Sequence, residues 1–171
     1  AIPARHADRL RAAEASGAQA VHLAQIDRDK QLTPKKIITP ASVENALRIL
    51  LAVGGSTNAI IHLTAIAGRL GIPIPLQQLN KLSDETPVLI DLKPTGDHYM
   101  EDLFKAGGLG VVLRELKPLL NLECLSVTGE TLEERLQSEP AYVNREVVRS
   151  FDQPIQKMGG LVSLFGSLAP G

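Results

Sequence analysis

The chain has 171 residues, 44 % of them hydrophobic and 3 % aromatic, with a net charge of −1. That length suits one domain with an aliphatic core. It excludes the basic face and stacking aromatics of a nucleic-acid binder, and no apolar run approaches the ~18 residues of a membrane span.

Residues 4–27 predict a first helix. Leu10, Ala13, Gly17, Ala20, Val21 and Ala24 recur at three- and four-residue spacing between Arg and Glu. His6 and His22 fall there without an obvious partner. "DRDKQLTPKK" is polar, carries Pro34 and reads as a loop. Thr39 then caps a second helix with Pro40 at its first position. Val43, Ala46, Leu47 and Leu50 form its stripe.

Gly54 and Gly55 end that helix. Ser56 or Thr57 caps a third, which runs to Leu70 with Gly71 behind it. This helix is apolar almost all round, so burial is expected. The glycines ahead of it leave room for a carboxylate or phosphate at its N-terminus. Ser56, Thr57 and Asn58 would add side-chain hydrogen bonds. Asn58 and His62 are four apart and share a face with Arg69. The same pattern is also an ordinary helix stop followed by a fresh cap, with His62 as a hydrogen-bonded core histidine. It lacks the spacing of a phosphate loop, and Ser56 with His62 has no third group for a triad.

Pro73 and Pro75 lead to a short helix near 76–82. Val88, Leu89 and Ile90 predict a buried strand that ends at Asp91 and Lys93, where open α/β sheets place ligands. A solvated ion pair in a turn is the plainer account of those two. "HYMEDLFKAGG" and "LGVVLRELKPLL" predict helices. His98, Glu101 and Asp102 imitate a metal cluster, yet acids are favoured at a helix start anyway. Residues 123–127 predict a short strand, "TLEERL" a small helix, 137–154 irregular polar chain, and "GGLVSLFGSLAPG" a strand with a turn. The sum is α/β with helix in excess.

Cys124 is the sole cysteine, which excludes an internal disulfide and a CxxC metal site within the chain. It reads as a small buried hydrophobe. With no signal-like start, cytoplasmic residence is expected. Both ends have the look of an excised piece: Ala1 is not Met, and the chain stops at "GSLAPG" after a strand-like run.

"GGSTNAIIHLTAIAGRLGI", "LSDETPVLIDLKPTGDHYMEDLFKAGGLGVVLREL", "CLSVTGETLEERL" and "GSLAPG" together resemble the dihydroxy-acid and sugar-acid dehydratase family, in order along the whole chain. "AIAGRLGIPIPL" and "AGGLGVVLREL" are most similar to the pentonate and hexonate dehydratases, and "DLKPTGDHYMEDL" departs from the phosphogluconate branch. The resemblance implies a hydro-lyase that converts a 2,3-dihydroxy acid to a 2-keto acid, with an iron–sulfur cluster and Mg²⁺ in the full-length enzyme. Sugar acids are the first substrate expectation. The branched dihydroxy acids of valine and isoleucine synthesis are the second. A stand-alone, non-catalytic module that binds small acids or docks to a partner is the reading from another class.

The resemblance also implies what is missing. The family's cluster cysteines and magnesium-holding acids lie upstream of the matched segment, and the serine proposed as base lies downstream. Residues 1–171 are therefore expected to be the latter part of the family's N-terminal α/β domain. No catalytic residue, metal or cofactor is expected within the chain itself. The remainder of the enzyme and a small acid are its expected partners, without nucleic acid or membrane, and the full-length enzyme is expected to be a homo-oligomer. Ser56, Thr57, Asn58, His62, Asp91 and Lys93 stand as candidates to bind substrate or to position groups that do.

Overall fold

The structure is a computed structural model that describes residues 2–26, 31–138 and 141–168. The 27–30 part of the expected loop, the 139–140 part of the irregular stretch and the end of the closing motif lie outside those residues. Eight α-helices are seen in them: α1 Ala7–Gln25, α2 Pro34–Ile37, α3 Pro40–Ala52, α4 Thr57–Gly68, α5 Leu76–Glu85, α6 Met100–Lys105, α7 Gly108–Glu115 and α8 Leu132–Gln137. A 3-10 turn, Lys117–Leu119, follows α7 at Pro118.

Caps fix several helix starts. The Thr39 hydroxyl accepts the Ser42 amide at 3.2 Å, and Ser42 Oγ accepts the Thr39 amide at 2.8 Å, with Pro40 at the first turn of α3. Thr131 and Glu134 do the same for α8, and the Thr131 amide and hydroxyl hold the Glu134 carboxyl below the usual glutamate range. Tyr99 donates its amide to Asp102 Oδ2 at 2.8 Å at the start of α6.

α3 carries the core on two sides. Val43, Leu47 and Leu51 pack with Ala67 of α4 and Leu79 and Leu82 of α5. Ala52, at its end, joins Leu89, Ile90, Leu103, Val111, Val112 and Leu116 in a second cluster. Each fully buried Leu or Val contributes about 1.5–3 kcal/mol relative to exposure. Polar residues lock the joints. Arg48, with its side chain 9 % exposed, bonds Glu44 at 3.0 Å, Glu85 at 2.9 Å and the Thr86 hydroxyl at 3.2 Å. Asn45 donates to the Asn121 carbonyl at 3.0 Å and accepts its amide at 2.8 Å, which fixes the chain after α7 against α3.

Four expectations change. Helix α4 is not buried: Ile60, Leu63 and Ala67 pack into the cluster that α3 and α5 build, while Ile61 stays 65 % exposed and Ile66 51 % exposed. The described residues leave the rest of its apolar circumference uncovered. Val88, Leu89 and Ile90 are buried as expected, but Val88 bridges Gln156 and Ile90 bridges Val148 as isolated antiparallel pairs. The partner chain turns at 151–153 between those two residues, so no ladder forms. Residues 123–127 likewise give one bridge, Leu125 to Thr131. Residues 161–165 run as irregular chain rather than a strand. Side chains of α5 hold them in place: Ser83 donates to the Leu161 carbonyl at 2.6 Å, and Asn80 exchanges hydrogen bonds with the Ser163 backbone at 2.8 and 2.7 Å. The described residues are therefore helix-rich with isolated bridges, and no sheet is seen among them.

Candidate functional site

The glycine pair is a tight turn against the C-terminal segment. Gly54 and Gly55 have φ of +91° and +83°, a region that favours glycine. A Cβ on Gly55 would overlap the Leu161 side chain, and a Cβ on Gly160 would come within 2.6 Å of the Gly54 carbonyl. Behind the turn, the Ser56 hydroxyl accepts the Ala59 amide at 3.4 Å and caps α4. Ser56, Thr57, Asn58 and His62 are all exposed. Their seam lies on the uncovered part of α4, beside Ile61.

Asp91 organises the second stretch. Its Oδ1 accepts the Asp97 amide at 2.8 Å, and its Oδ2 meets His98 Nδ1 at 3.2 Å. Gly96 donates its amide to the Leu92 carbonyl at 2.8 Å and sits so close to Asp91 that no Cβ fits. Lys93 points elsewhere: its Nζ lies 4.1 Å from the Tyr99 ring centroid and 2.7 Å from the Tyr99 hydroxyl. The expected Asp91–Lys93 ion pair is thus replaced by Asp91–His98 and Lys93–Tyr99.

The apparent metal cluster near 98–102 separates into three tasks. His98 meets Asp91, Asp102 caps α6, and Glu101 pairs with Lys105 at 2.8 Å. His6 caps α1 by accepting the Asp8 amide at 3.2 Å and packs edge-on against Phe104 at 5.3 Å. His22 is exposed.

The fold brings the two candidate stretches together at a pocket of about 130 Å³. Gly54, Asp91, Thr95, Gly96, Gln156 and Gly160 line it, over Val88, Ile90 and Ile155. Of the six candidates, Asp91 alone lines this pocket. Thr95, Gln156 and Gly160 were not foreseen. They come from separate stretches joined by the Val88–Gln156 bridge, and no local spacing announces such a join.

An iron–sulfur cluster does not fit these residues. Clusters are held by several thiolates, and the sequence has one cysteine. Burial pushes the Cys124 thiol above its ordinary value, opposed by a hydrogen bond with Thr39. No group of three or more His, Cys, Asp or Glu among the described residues is placed to hold a metal ion. None of their helices is long and apolar enough to cross a membrane.

Comparison with known proteins gives a consistent answer. A family model described as dihydroxy-acid/6-phosphogluconate dehydratase, N-terminal, matches residues 1–135. A dihydroxy-acid dehydratase of Caldanaerobacter subterraneus subsp. tengcongensis is 41 % identical over 170 residues, 98 % of the chain. One of Caldicellulosiruptor bescii is 43 % identical over 171 residues, 99 % of the chain. A dihydroxy-acid dehydratase 2 of Corynebacterium efficiens is 42 % identical over 174 aligned positions, 100 % of the chain. The chain spans about 30 % of the length of each of these curated relatives.

Proposed function

The chain belongs to the dihydroxy-acid/6-phosphogluconate dehydratase N-terminal family, and from that membership we propose that it is part of the N-terminal domain of a hydro-lyase that dehydrates a 2,3-dihydroxy acid to a 2-keto acid. The observation that carries this reading is identity of 41–43 % across nearly the whole chain with proteins named for that reaction. Their names favour the branched dihydroxy acids, the second substrate expectation, over the sugar acids.

The reaction removes a proton from C2 and hydroxide from C3, and the enol becomes the ketone. Iron–sulfur and magnesium chemistry suits the loss of hydroxide, but one cysteine does not fit a cluster and no group of acids among the described residues is placed to hold a metal ion. Those ligands, and the base, belong to the rest of the enzyme. What this chain supplies is surface and support. Asp91 holds the 91–98 loop beside Gly54. Ser56, Thr57, Asn58 and His62 line the uncovered flank of α4, where the rest of the enzyme packs and where they reach substrate or the groups around it. The exposed Ile61 and Ile66 leave apolar surface on α4 for that packing to cover.

Assay of the 171-residue chain beside the longer enzyme that contains it tests the reading. The enzyme forms 2-keto acid from a 2,3-dihydroxy acid and the chain alone forms none. Keto acid from the chain alone, or none from the enzyme, contradicts it.

A further inference from the structure

Residues 161–165 fall in a run that the sequence reads as a strand, and they are irregular chain in the structure. Their hydrogen bonds explain the difference. Ser163 donates its amide to Asn80 Oδ1 at 2.7 Å, and its carbonyl accepts Asn80 Nδ2 at 2.8 Å. Two residues earlier, the Leu161 carbonyl accepts the Ser83 hydroxyl at 2.6 Å. Peptide groups of alternate residues thus face α5, as those of a strand face a neighbour. The side chains of Asn80 and Ser83 stand where that neighbour would be.

The other edge is open. In such a segment the peptide groups of Val162 and Leu164 point away from α5. Neither residue has a hydrogen bond among the described residues. Their side chains are exposed too, Val162 at 65 % and Leu164 at 84 %, whereas Leu161 packs on the cluster shared by α3, α4 and α5. Burial therefore alternates along 161–164, with the period of a strand.

Nothing guards this edge. From Met158 to Leu168 the sequence has no charge and no proline. Exposed strand edges usually carry such residues, because a bare edge pairs with any strand that reaches it. An edge this bare and apolar suits a protein in which it is covered.

We propose that residues 161–165 are a strand whose free edge pairs with a strand from the remaining part of the same enzyme chain. That partner carries apolar side chains on the face that meets Val162 and Leu164. The proposal rests on the reading of this chain as part of a longer dehydratase. The chain spans about 30 % of the curated relatives, so most of such an enzyme is left to supply the partner. A second copy of the chain suits the edge less well. A strand of this length is about 17 Å long. Pairing two of them buries far less than the roughly 1,200 Å² of a stable interface between separate chains. Within one chain, covalent linkage keeps the partner close and no such area is needed.

Hydrogen exchange in the longer enzyme tests this without turnover, so its failure leaves the dehydratase reading to its own assay. The Ser163 amide, bound to Asn80, is the internal reference. The Val162 and Leu164 amides are expected to exchange within about tenfold of Ser163, and at least about a thousandfold slower than unpaired chain. Leu164→benzoylphenylalanine, irradiated in the longer enzyme, then identifies the occupant. Cross-links to an apolar segment outside residues 1–171, with the mass of one chain on a denaturing gel, are expected. Fast exchange at Val162 and Leu164, no cross-link, cross-links confined to residues 1–171, or a product of doubled mass overturns the proposal.

Discussion

Gly96 shows how a single absent side chain shapes the candidate site. Its Cα sits where a Cβ would overlap Asp91 Oδ1 and come within 2.7 Å of the Leu92 amide nitrogen. Backbone cannot swing aside as a flexible side chain can. Gly96→Ala is therefore expected to cost about 1–3 kcal/mol in a urea melt. Gly68→Ala is the contrast, because a Cβ there meets nothing within 4 Å. It should be neutral or stabilise the end of α4 by up to about 1 kcal/mol. Equal effects at the two positions would contradict the close approach. A turn at Asp91 and Lys93 was legible in the sequence, but the need for glycine at 96 was not, since the crowding depends on where Asp91 turns its carboxylate. The same limit explains Lys93. Two charges two residues apart suggest an ion pair, yet the loop aims Asp91 at His98 and Lys93 at the Tyr99 ring.

At the scale of elements, helix starts were readable because caps are local chemistry. Thr39 with Pro40, and Ser56, cap where the sequence places caps, while Thr131 with Glu134 caps a helix that the sequence predicts without its cap. Strands were less readable, because a strand needs a partner in register. Val88, Leu89 and Ile90 are apolar and buried as their run suggests, but they meet a chain that turns between its two contacts. The α3–α5 joint depends on an ion pair that the sequence does not flag. Arg48 reaches Glu44 four residues back, Glu85 at the end of α5, and the buried Thr86 hydroxyl. Arg48→Ala is expected to lower stability by about 2–4 kcal/mol, since it leaves Thr86 unpaired and two carboxylates close together. Arg48→Lys should recover only part of this, because one ammonium cannot serve three partners as a guanidinium does. Melts of both variants check this, and full recovery by Lys would contradict the three-way clamp.

For the whole molecule, α4 is the informative error. Its composition predicts burial, and the chain covers one side of it only. Both observations hold together if the longer enzyme covers the rest, which is the same flank that carries Asn58 and His62. Ile61→Asp should then leave the stability of the chain alone within about 0.5 kcal/mol. In the longer enzyme it should lower the melting temperature clearly, because a charge would be buried without a partner. Equally small effects in both would show that flank to be solvent-facing throughout. Family membership was legible in four ordered motifs. The pocket at Asp91 was not, since it joins segments that meet only after folding.

The central proposal is that this chain serves an enzyme acting on branched 2,3-dihydroxy acids in preference to sugar acids, and the specificity constant for keto-acid formation tests it most directly. The longer enzyme is offered 2,3-dihydroxyisovalerate and a pentonate under identical conditions. The account predicts 2-keto acid from both or from the branched acid alone, with the higher kcat/KM for 2,3-dihydroxyisovalerate. A higher value for the pentonate, or no keto acid from either, would contradict it.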